Sequence, residues 1–339
     1  MKTPPARAAK VQALNVEARA TRVEQRRRLG ALVSLRIAAR TRNRYAKAYQ
    51  RFANFVRQRE ITIRAFGDFD LALAWYIETC WQEGEPKPYA NDAAAALQFY
   101  IPAVRKQLNL SWSLCSAWGR HELPARALPF TPAFLACYSG AFLLLGLPRL
   151  AAMSVVAFDV LARTGEFLSL ERRHIFLEPG RSQAVIKFEA TKRGQRLGVD
   201  EAIVVSDPIT LTCLKYLCQG LAPGDRLLGL SERKLRAAWA HVTACLRLQA
   251  LVIRPYSLRR GGATHRYREE GNLHTVASRG RWSSLTTTRR YIDDGVAALA
   301  TLQLSQWQEQ QMKALARVWH RFLRGLETTQ GKLLALPPC

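Results

Sequence analysis

The sequence predicts a mainly α-helical chain that carries a small antiparallel β-sheet in its second half. Apolar side chains recur at spacings of three and four residues through most of the chain, as one face of a helix requires. Strand-like runs occur only between residues 174 and 205, where a Glu-Pro-Gly turn and a basic loop separate them. The length of 339 residues exceeds one typical domain, so two domains are expected.

The chain is strongly basic. It has 51 Lys and Arg against 26 Asp and Glu, a net charge of +25. Residues 1–60 hold 16 basic and three acidic side chains, a net charge of +13. Such a surplus favours a polyanionic partner, so nucleic acid is expected first and an anionic membrane surface second. No membrane-spanning segment is expected, because Pro148 and Arg149 interrupt the most apolar stretch, residues 134–162.

The cysteines favour a reducing compartment. There are seven, an odd number, and none forms a Cys-x-x-Cys pair, so neither a zinc ribbon nor a disulfide framework is expected. The N-terminus lacks the apolar core of a secretory signal, and its basic composition is also compatible with an organelle transit peptide. We expect the chain to be located with its DNA, in the nucleus of a eukaryote or in the cytoplasm or nucleoid of a bacterium.

The first half reads as helical. Residues 1–30 are predicted to be a basic arm and residues 31–125 a helical domain, with helices over 41–60, 69–82 and 90–107. The helix over 41–60 has an aromatic face, formed by Tyr45, Tyr49, Phe52 and Phe55. Basic side chains cover the rest, and four are candidates for DNA contact: Arg42, Arg44, Lys47 and Arg51. A solvated basic face is the alternative for a single helix of this kind.

The second half is predicted to begin after a proline-punctuated stretch, residues 122–132. Two apolar helices follow, over about 132–147 and 149–163. Three strands are then expected, at His174–Leu177, Gln183–Glu189 and Ala202–Val205. Helices return afterwards, and the last is predicted as one long helix over 301–327. The expected division is therefore a domain over 126–300 and a C-terminal helical segment over 301–339.

Several common catalytic motifs are absent from the sequence. There is no Walker-type glycine loop, no G-x-G-x-x-G after a strand and no H-E-x-x-H. The six histidines show no spacing typical of metal ligands. We therefore expect no metal ion and no nucleotide cofactor.

What remains in the second half is an ordered set of three cations, one carboxylate and three aromatic residues. Its members are Arg163 with Glu166 three residues later, Lys192 in a predicted hairpin turn, Tyr256-x-x-Arg259, Trp282 and Tyr291. Each has an ordinary alternative when it is taken alone. The Arg163–Glu166 pair is compatible with a simple helix salt bridge, and Lys192 with a turn residue that only adds solubility. Trp282 is compatible with core packing, and Tyr291 with a half-buried position on a helix. The fixed order of all of them favours a catalytic site.

This set resembles the motifs of the tyrosine recombinases, the family of phage integrases and chromosome-dimer resolvases. Arg259 precedes Trp282 by 23 residues and Tyr291 by 32, intervals typical of that family. The motifs cover residues 160–292, and the helical first half resembles the family's core-binding domain. The combination of S-x-R-R-G-G-A-T with G-R-W is more similar to members from eukaryotic mobile elements than to bacterial resolvases. Tyr256 departs from the pattern, because that position is usually His.

The resemblance implies a reaction and a role for each residue. Tyr291 would attack a DNA phosphodiester and form a 3′-phosphotyrosyl bond. Arg163 and Arg259 would bind the non-bridging oxygens, and Glu166 would position the arginines. Lys192 would protonate the departing 5′-oxygen.

The other two members have secondary roles in this interpretation. Trp282 would donate its indole N–H to the phosphate. Tyr256 would take the place of the usual His, although a phenol, with a pKa near 10, is a poorer base than an imidazole.

The resemblance also implies a homotetramer on paired sites in double-stranded DNA, in which the two domains clamp the duplex. Three alternatives remain from the residues alone. They are a type IB topoisomerase or hairpin-resolving enzyme, a catalytically silent DNA-binding protein derived from a mobile element, and a basic protein that merely coats nucleic acid.

Overall fold

The chain folds into two compact units, Met1–Pro124 and Ala125–Cys339. The structure is a computed structural model that describes residues 6–177, 182–189 and 201–334. Within these ranges no helix combines the length and the apolar character that crossing a lipid bilayer requires.

The first unit is wholly helical over its described residues. Its helices are α1 (Ala6–Leu29), α2 (Leu32–Leu35), α3 (Ala39–Gln58), α4 (Asp68–Gln82), α5 (Pro88–Tyr100) and α6 (Asn109–His121), with a 3₁₀ turn at Pro102–Val104. The aromatic face of α3 is directed inward: Phe52 is buried, and Tyr49 and Phe55 pack against the same core. Apolar side chains from α4, α5 and α6 complete that core, among them Ile77 and Trp118.

The second unit combines helices with a three-stranded sheet. Its elements are α7 (Pro132–Leu144), α8 (Pro148–Asp159), α9 (Thr164–Ser169), a 3₁₀ turn (Arg172–His174), β1 (Ile175–Leu177), β2 (Ala184–Phe188), β3 (Glu201–Val205), α10 (Pro208–Cys218), α11 (Glu232–Cys245), α12 (Ser257–Glu270), α13 (Leu273–Gly280), α14 (Leu285–Arg289), α15 (Asp294–Leu302) and α16 (Gln306–Leu334). The strands are antiparallel in the order β1-β2-β3, and Ile186 of β2 lies opposite Ile175 and Ile203. The predicted fold class, mainly α with a small antiparallel sheet, is confirmed.

The long helix α16 packs against α7 of its own unit, where Met312, Trp319 and Leu323 join the main core. Gly140 of α7 permits this approach, because a Cβ atom there would lie 1.9 Å from the carbonyl oxygen of Leu315.

The main differences from the sequence predictions are three helix boundaries and one missed helix. The helix predicted over 90–107 ends at Tyr100, since Pro102 restricts the residue before it and cannot donate a backbone hydrogen bond. The helix α6 was not predicted. The predicted helix over 149–163 ends at Asp159, and the predicted helix over 301–327 is two helices, α15 and α16, with a break at 303–305.

Candidate active site

Two adjacent glycines bring α12 against the backbone of the second unit. A Cβ atom at Gly261 would lie 2.2 Å from the carbonyl oxygen of Phe130, and one at Gly262 would lie 2.0 Å from that of Phe158. No other residue type fits at such distances without a shift of the backbone. The run Arg259-Arg260-Gly261-Gly262 therefore places two arginines at the point where the helix enters the core.

The two arginines are buried and have different partners. Arg259 is 0% exposed; its Nη1 donates to the Leu161 carbonyl oxygen and its Nη2 donates to that of Gly280 at 2.6 Å. Arg260 bonds the carbonyl oxygen of Ala127 and lies 3.1 Å from Asp293 Oδ2. The Ala127 carbonyl oxygen and Asp293 hold Arg260, whereas the Arg259 Cζ atom lies 5.5 Å from the centroid of the Tyr291 ring.

Arg163 lies beyond the end of α8 and caps the start of α9. The sequence placed it at the end of an apolar helix, but that helix ends at Asp159 and the chain turns at Leu161, which has a φ of 51°. The Arg163 backbone N–H donates to Glu166 Oε2 at 2.8 Å, and its Nη1 lies 2.5 Å from Glu166 Oε1. The pair caps the N-terminal turn of the short helix and leaves the guanidinium partly exposed, at 30% of the side chain.

Tyr256 and Tyr291 meet through their hydroxyl groups. The Tyr256 hydroxyl donates to Tyr291 Oη at 2.6 Å. Burial raises the pKa of Tyr291, but the hydrogen bond from Tyr256 and the positive charges of Arg259 and Arg163 outweigh it, and the net pKa is lowered. Burial, together with the bond to Tyr291, raises the pKa of Tyr256. In this site Tyr256 is therefore a hydrogen-bond donor to the tyrosine, and not a base that removes its proton.

Trp282 stacks against the same tyrosine. The ring centroids of Trp282 and Tyr291 are 4.3 Å apart, and the Arg259 Cζ atom lies 4.6 Å and 5.5 Å from these two centroids. The guanidinium is thus covered by aromatic rings, a favourable cation–π arrangement. The Arg259 Nε atom is buried and has no hydrogen-bond acceptor among the described residues. An unused donor of this kind suits an anionic ligand.

Arg281 is a member of the site that the sequence did not single out. It lies between Gly280 and Trp282, is 6% exposed and places its Nη2 2.5 Å from Glu166 Oε2. The sequence around Arg281 has no periodic pattern that predicts a buried arginine. The left-handed turn after α13 directs its side chain inward.

An open cleft of about 530 Å³ lies beside Tyr256 and Tyr291. Five arginines line it, and no acidic side chain does: Arg126, Arg236, Arg254, Arg260 and Arg290. Arg236 is paired with Glu232 and Arg260 with Asp293. The side chains of the other three are exposed and form no ion pair with the described residues. The cleft therefore presents net positive charge next to the tyrosine pair.

The four basic residues predicted on α3 have different environments. Lys47 is exposed, and Arg44 is exposed but lies 3.4 Å from Asp92. Arg51 is half-buried, with its Cζ 3.8 Å from the centroid of the Tyr89 ring. Arg42 is also half-buried. Lys47 and Arg44 thus face solvent, whereas Arg51 packs within the unit.

Lys192 lies outside the described residues, so its place relative to Tyr291 stays a prediction. Over the described ranges, no group of three or more His, Cys, Asp or Glu side chains is arranged to hold a metal ion. Of the predicted site residues, the structure brings together six: Arg163, Glu166, Tyr256, Arg259, Trp282 and Tyr291.

Solved structures with a similar fold include recombinases and integrases. No protein-family model and no curated protein matches the sequence. The Tn1549 transposon integrase in complex with transposon right end DNA is 11% identical with a TM-score of 0.54, over 83% of this chain and 96% of that one. A lambda integrase dimer bound to a COC' core site is 16% identical with a TM-score of 0.50, over 78% and 74% of the two chains.

A third structure is the XerH site-specific recombinase bound to difH substrate. It is 15% identical with a TM-score of 0.47, and the matched part spans 66% of each chain, just under two thirds of that recombinase. At these identities the likeness concerns the fold. The fold of this chain is that of the tyrosine recombinases and integrases.

Proposed function

We propose that the chain is a site-specific DNA recombinase or integrase that cleaves and rejoins DNA strands through a 3′-phosphotyrosyl intermediate. The observation that carries the proposal is the surroundings of Tyr291. Its hydroxyl accepts a hydrogen bond from Tyr256 at 2.6 Å, and its ring covers the Arg259 guanidinium. A tyrosine with a lowered pKa beside buried cations suits attack on a phosphodiester.

The proposed reaction uses these residues as follows. The Tyr291 hydroxyl loses its proton to solvent, the phenolate oxygen forms a bond to phosphorus, the bond from phosphorus to the 5′-oxygen breaks, and that oxygen takes up a proton. Arg163 and Arg259 stabilise the charge that develops on the non-bridging oxygens, and the indole N–H of Trp282 donates to one of them. In this proposal Lys192 supplies the proton to the 5′-oxygen. A 5′-hydroxyl from a second strand reverses the steps and rejoins the DNA.

The charge of the arginines and the lysine replaces that of a metal ion in this mechanism, and no nucleotide is consumed, because the phosphotyrosyl bond retains the energy of the phosphodiester. We also propose that the active form is a homotetramer on two DNA sites. The cations of the cleft beside Tyr291, above all Arg126, Arg254 and Arg290, suit the phosphates next to the cleaved one.

The experiment that tests the function is a search for a covalent adduct. The chain is incubated with labelled duplexes taken from the DNA that flanks its own gene, and the products are separated under denaturing conditions. We expect an adduct that survives denaturant and EDTA. The variant Tyr291→Phe should form none while it retains DNA affinity, because only the nucleophilic oxygen is removed.

Three outcomes would contradict the proposal. An adduct formed by Tyr291→Phe would show that another residue is the nucleophile. Cleavage that EDTA abolishes and a divalent ion restores would indicate a metal-dependent nuclease. Relaxation of any supercoiled plasmid, without a requirement for paired sites, would indicate a topoisomerase.

A further inference from the structure

Arg281 has a backbone conformation that side chains with a Cβ atom disfavour. It follows the end of α13 with φ 56° and ψ 42°, in the left-handed region that usually holds glycine or asparagine. A glycine at position 281, the first residue after α13, would be the ordinary way to end this helix. Strained residues of this kind cluster at functional sites, where the surrounding contacts hold them in place.

The contacts of its guanidinium are with two carboxylates and one aromatic ring. Arg281 Nη2 lies 2.5 Å from Glu166 Oε2, and Nε lies 3.3 Å from Glu201 Oε2. The Cζ atom lies 4.1 Å from the centroid of the Phe188 ring. Because the side chain is 5% exposed, it has no surface to offer to a substrate. Its effect on the reaction must pass through a neighbour.

That neighbour is Glu166. Glu166 Oε1 accepts a hydrogen bond from Arg163 Nη1. Oε2 accepts two hydrogen bonds, one from the Arg163 backbone N–H and one from Arg281 Nη2. Burial raises the pKa of Glu166, but the charge of Arg281, followed by the contacts with Arg163, outweighs it and keeps the carboxyl ionised. Without Arg281 the Glu166 carboxylate keeps only its contacts with Arg163, so no second residue fixes the orientation of the pair.

We propose that Arg281 is a positioning residue, which fixes the Glu166 carboxylate and thereby orients the Arg163 guanidinium toward the scissile phosphate. The inference rests on the proposed function. In this arrangement the tripeptide Gly280-Arg281-Trp282 serves three groups of the site. The Gly280 carbonyl oxygen accepts from Arg259, Arg281 holds Glu166, and Trp282 stacks on Tyr291.

The test uses two variants and one matched control. Arg281→Gly removes the side chain and relieves the left-handed strain, so backbone conformation gives no reason for misfolding. Arg281→Lys retains a cation without the planar fork. Arg279→Ala is the control, because Arg279 lies two residues upstream and makes a similar pair, 2.6 Å from Asp159 Oδ2, outside the tyrosine site. Thermal unfolding of all three confirms that they fold.

The first measurement compares two substrates that differ at the scissile phosphate. One is the duplex that yields the adduct, and the other carries a neutral methylphosphonate, which lacks the charge that Arg163 binds. On the ordinary phosphodiester, we expect Arg281→Gly to slow cleavage by about 10- to 100-fold. Removal of a residue that orients a metal-binding side chain causes a loss of similar size. Arg281→Lys should recover only part of this.

On the methylphosphonate, the ratio of native to variant rate should approach one for Arg281→Gly, as it should for Arg163→Ala. The control Arg279→Ala should show the same ratio on both substrates. An equal loss on both substrates for Arg281→Gly would show that Arg281 only supports the fold, and no loss on either would show that it has no role. Both outcomes overturn the proposal.

A double-mutant cycle identifies the intermediary. If Arg281 acts through Arg163, Arg281→Gly should slow the Arg163→Ala variant by less than about twofold, because the group that it orients is already gone. Losses that multiply would contradict the proposal, since Arg281 would then act by another route.

A crystal structure of Arg281→Gly without DNA provides a measurement that does not depend on cleavage. We expect Arg163 Nη1 to leave Glu166 Oε1, whereas an unchanged separation of 2.5 Å would overturn the inference. If the native chain forms no adduct with any duplex, the proposed function fails, and this structure still decides whether Arg281 holds Glu166 and Arg163 in place.

Discussion

The hydroxyl pair of Tyr256 and Tyr291 defines the chemistry of the site at the scale of single residues. The family to which the motifs are similar usually has His at the position of Tyr256, and an imidazole can accept a proton at neutral pH. A buried phenol with a raised pKa cannot, and the geometry shows it donating to Tyr291 instead. Activation by a hydrogen-bond donor stabilises the phenolate after the proton has left.

This role predicts a shift in the pH dependence. Removing the donor with Tyr256→Phe raises the pKa of Tyr291, because the hydrogen bond from Tyr256 is the largest effect that lowers it. The phenolate fraction at a given pH then falls, so the rising limb of cleavage rate against pH should move to higher pH. Near pH 7 we expect a loss of about 10- to 100-fold, which corresponds to one hydrogen bond to a charged group.

Single-turnover cleavage between pH 6 and 10 measures this prediction. The comparison variant is Tyr256→His, which restores the residue usual in the family and should retain more activity than Tyr256→Phe. A pH profile that Tyr256→Phe leaves in place would show that Tyr256 does not control the ionisation of Tyr291.

The sequence singled out most residues of the candidate site, because their types and intervals are those that the proposed chemistry requires. Arg259 and Tyr291 belong to motifs that read directly from the chain. Arg281 does not, since its importance depends on a left-handed turn that no local pattern shows. The donor role of Tyr256 was also hidden, because the direction of a hydrogen bond depends on the burial of both partners and on nearby cations.

At the scale of elements, α12 depends on the closeness that Gly262 allows. Gly262→Ala would place a Cβ atom 2.0 Å from the carbonyl oxygen of Phe158, so the helix must move outward and carry Arg259 with it. We expect a loss of stability of about 1–3 kcal/mol, the usual cost of overpacking, together with loss of cleavage. Thermal and urea unfolding measure the first effect.

Gly295→Ala is the matched control. Gly295 lies in α15 with no atom within 4 Å of a Cβ placed there, so alanine should leave stability unchanged or slightly raise it. Equal stability of Gly262→Ala and the native chain would mean that the approach of α12 to α8 is looser than the structure shows.

The sequence predicted some of the helices and missed others. The aromatic spacing in residues 45–55 predicted both α3 and its inward face, because each apolar side chain needs a core to contact. The helix over 109–121 was missed, since Ser and Gly interrupt its apolar positions. The break between α15 and α16 was missed too, because the apolar pattern continues across it while the backbone does not.

At the scale of the whole molecule, the net charge of +25 predicts strong dependence of DNA binding on salt. Residues 1–30 contain eight basic and two acidic side chains, and they precede the helices that build the core of the first unit. Deleting them should reduce the slope of log affinity against log salt, by about 0.9 for each phosphate that these residues neutralise in the native chain. The deletion should spare the fold, unlike deletion of residues 1–60, which removes Phe52 from the core.

Fluorescence anisotropy with a non-cognate duplex between 50 and 300 mM salt provides the measurement. Circular dichroism checks that the shortened chain keeps its helices. An unchanged slope would show that the N-terminal charge faces something other than the DNA backbone.

The burial of Arg259 beneath two aromatic rings has a consequence for fidelity. With 0% of its surface exposed, this guanidinium cannot touch a phosphate until Tyr291 or Trp282 moves aside. If Tyr291 is the ring that moves, its bond to Tyr256 breaks as well, so the cation would be uncovered and the nucleophile released in the same step. We therefore expect the site to open only for a duplex whose other contacts supply the free energy of that rearrangement. We expect non-cognate DNA, which is bound by charge alone, to leave the site closed and to dissociate without being cleaved.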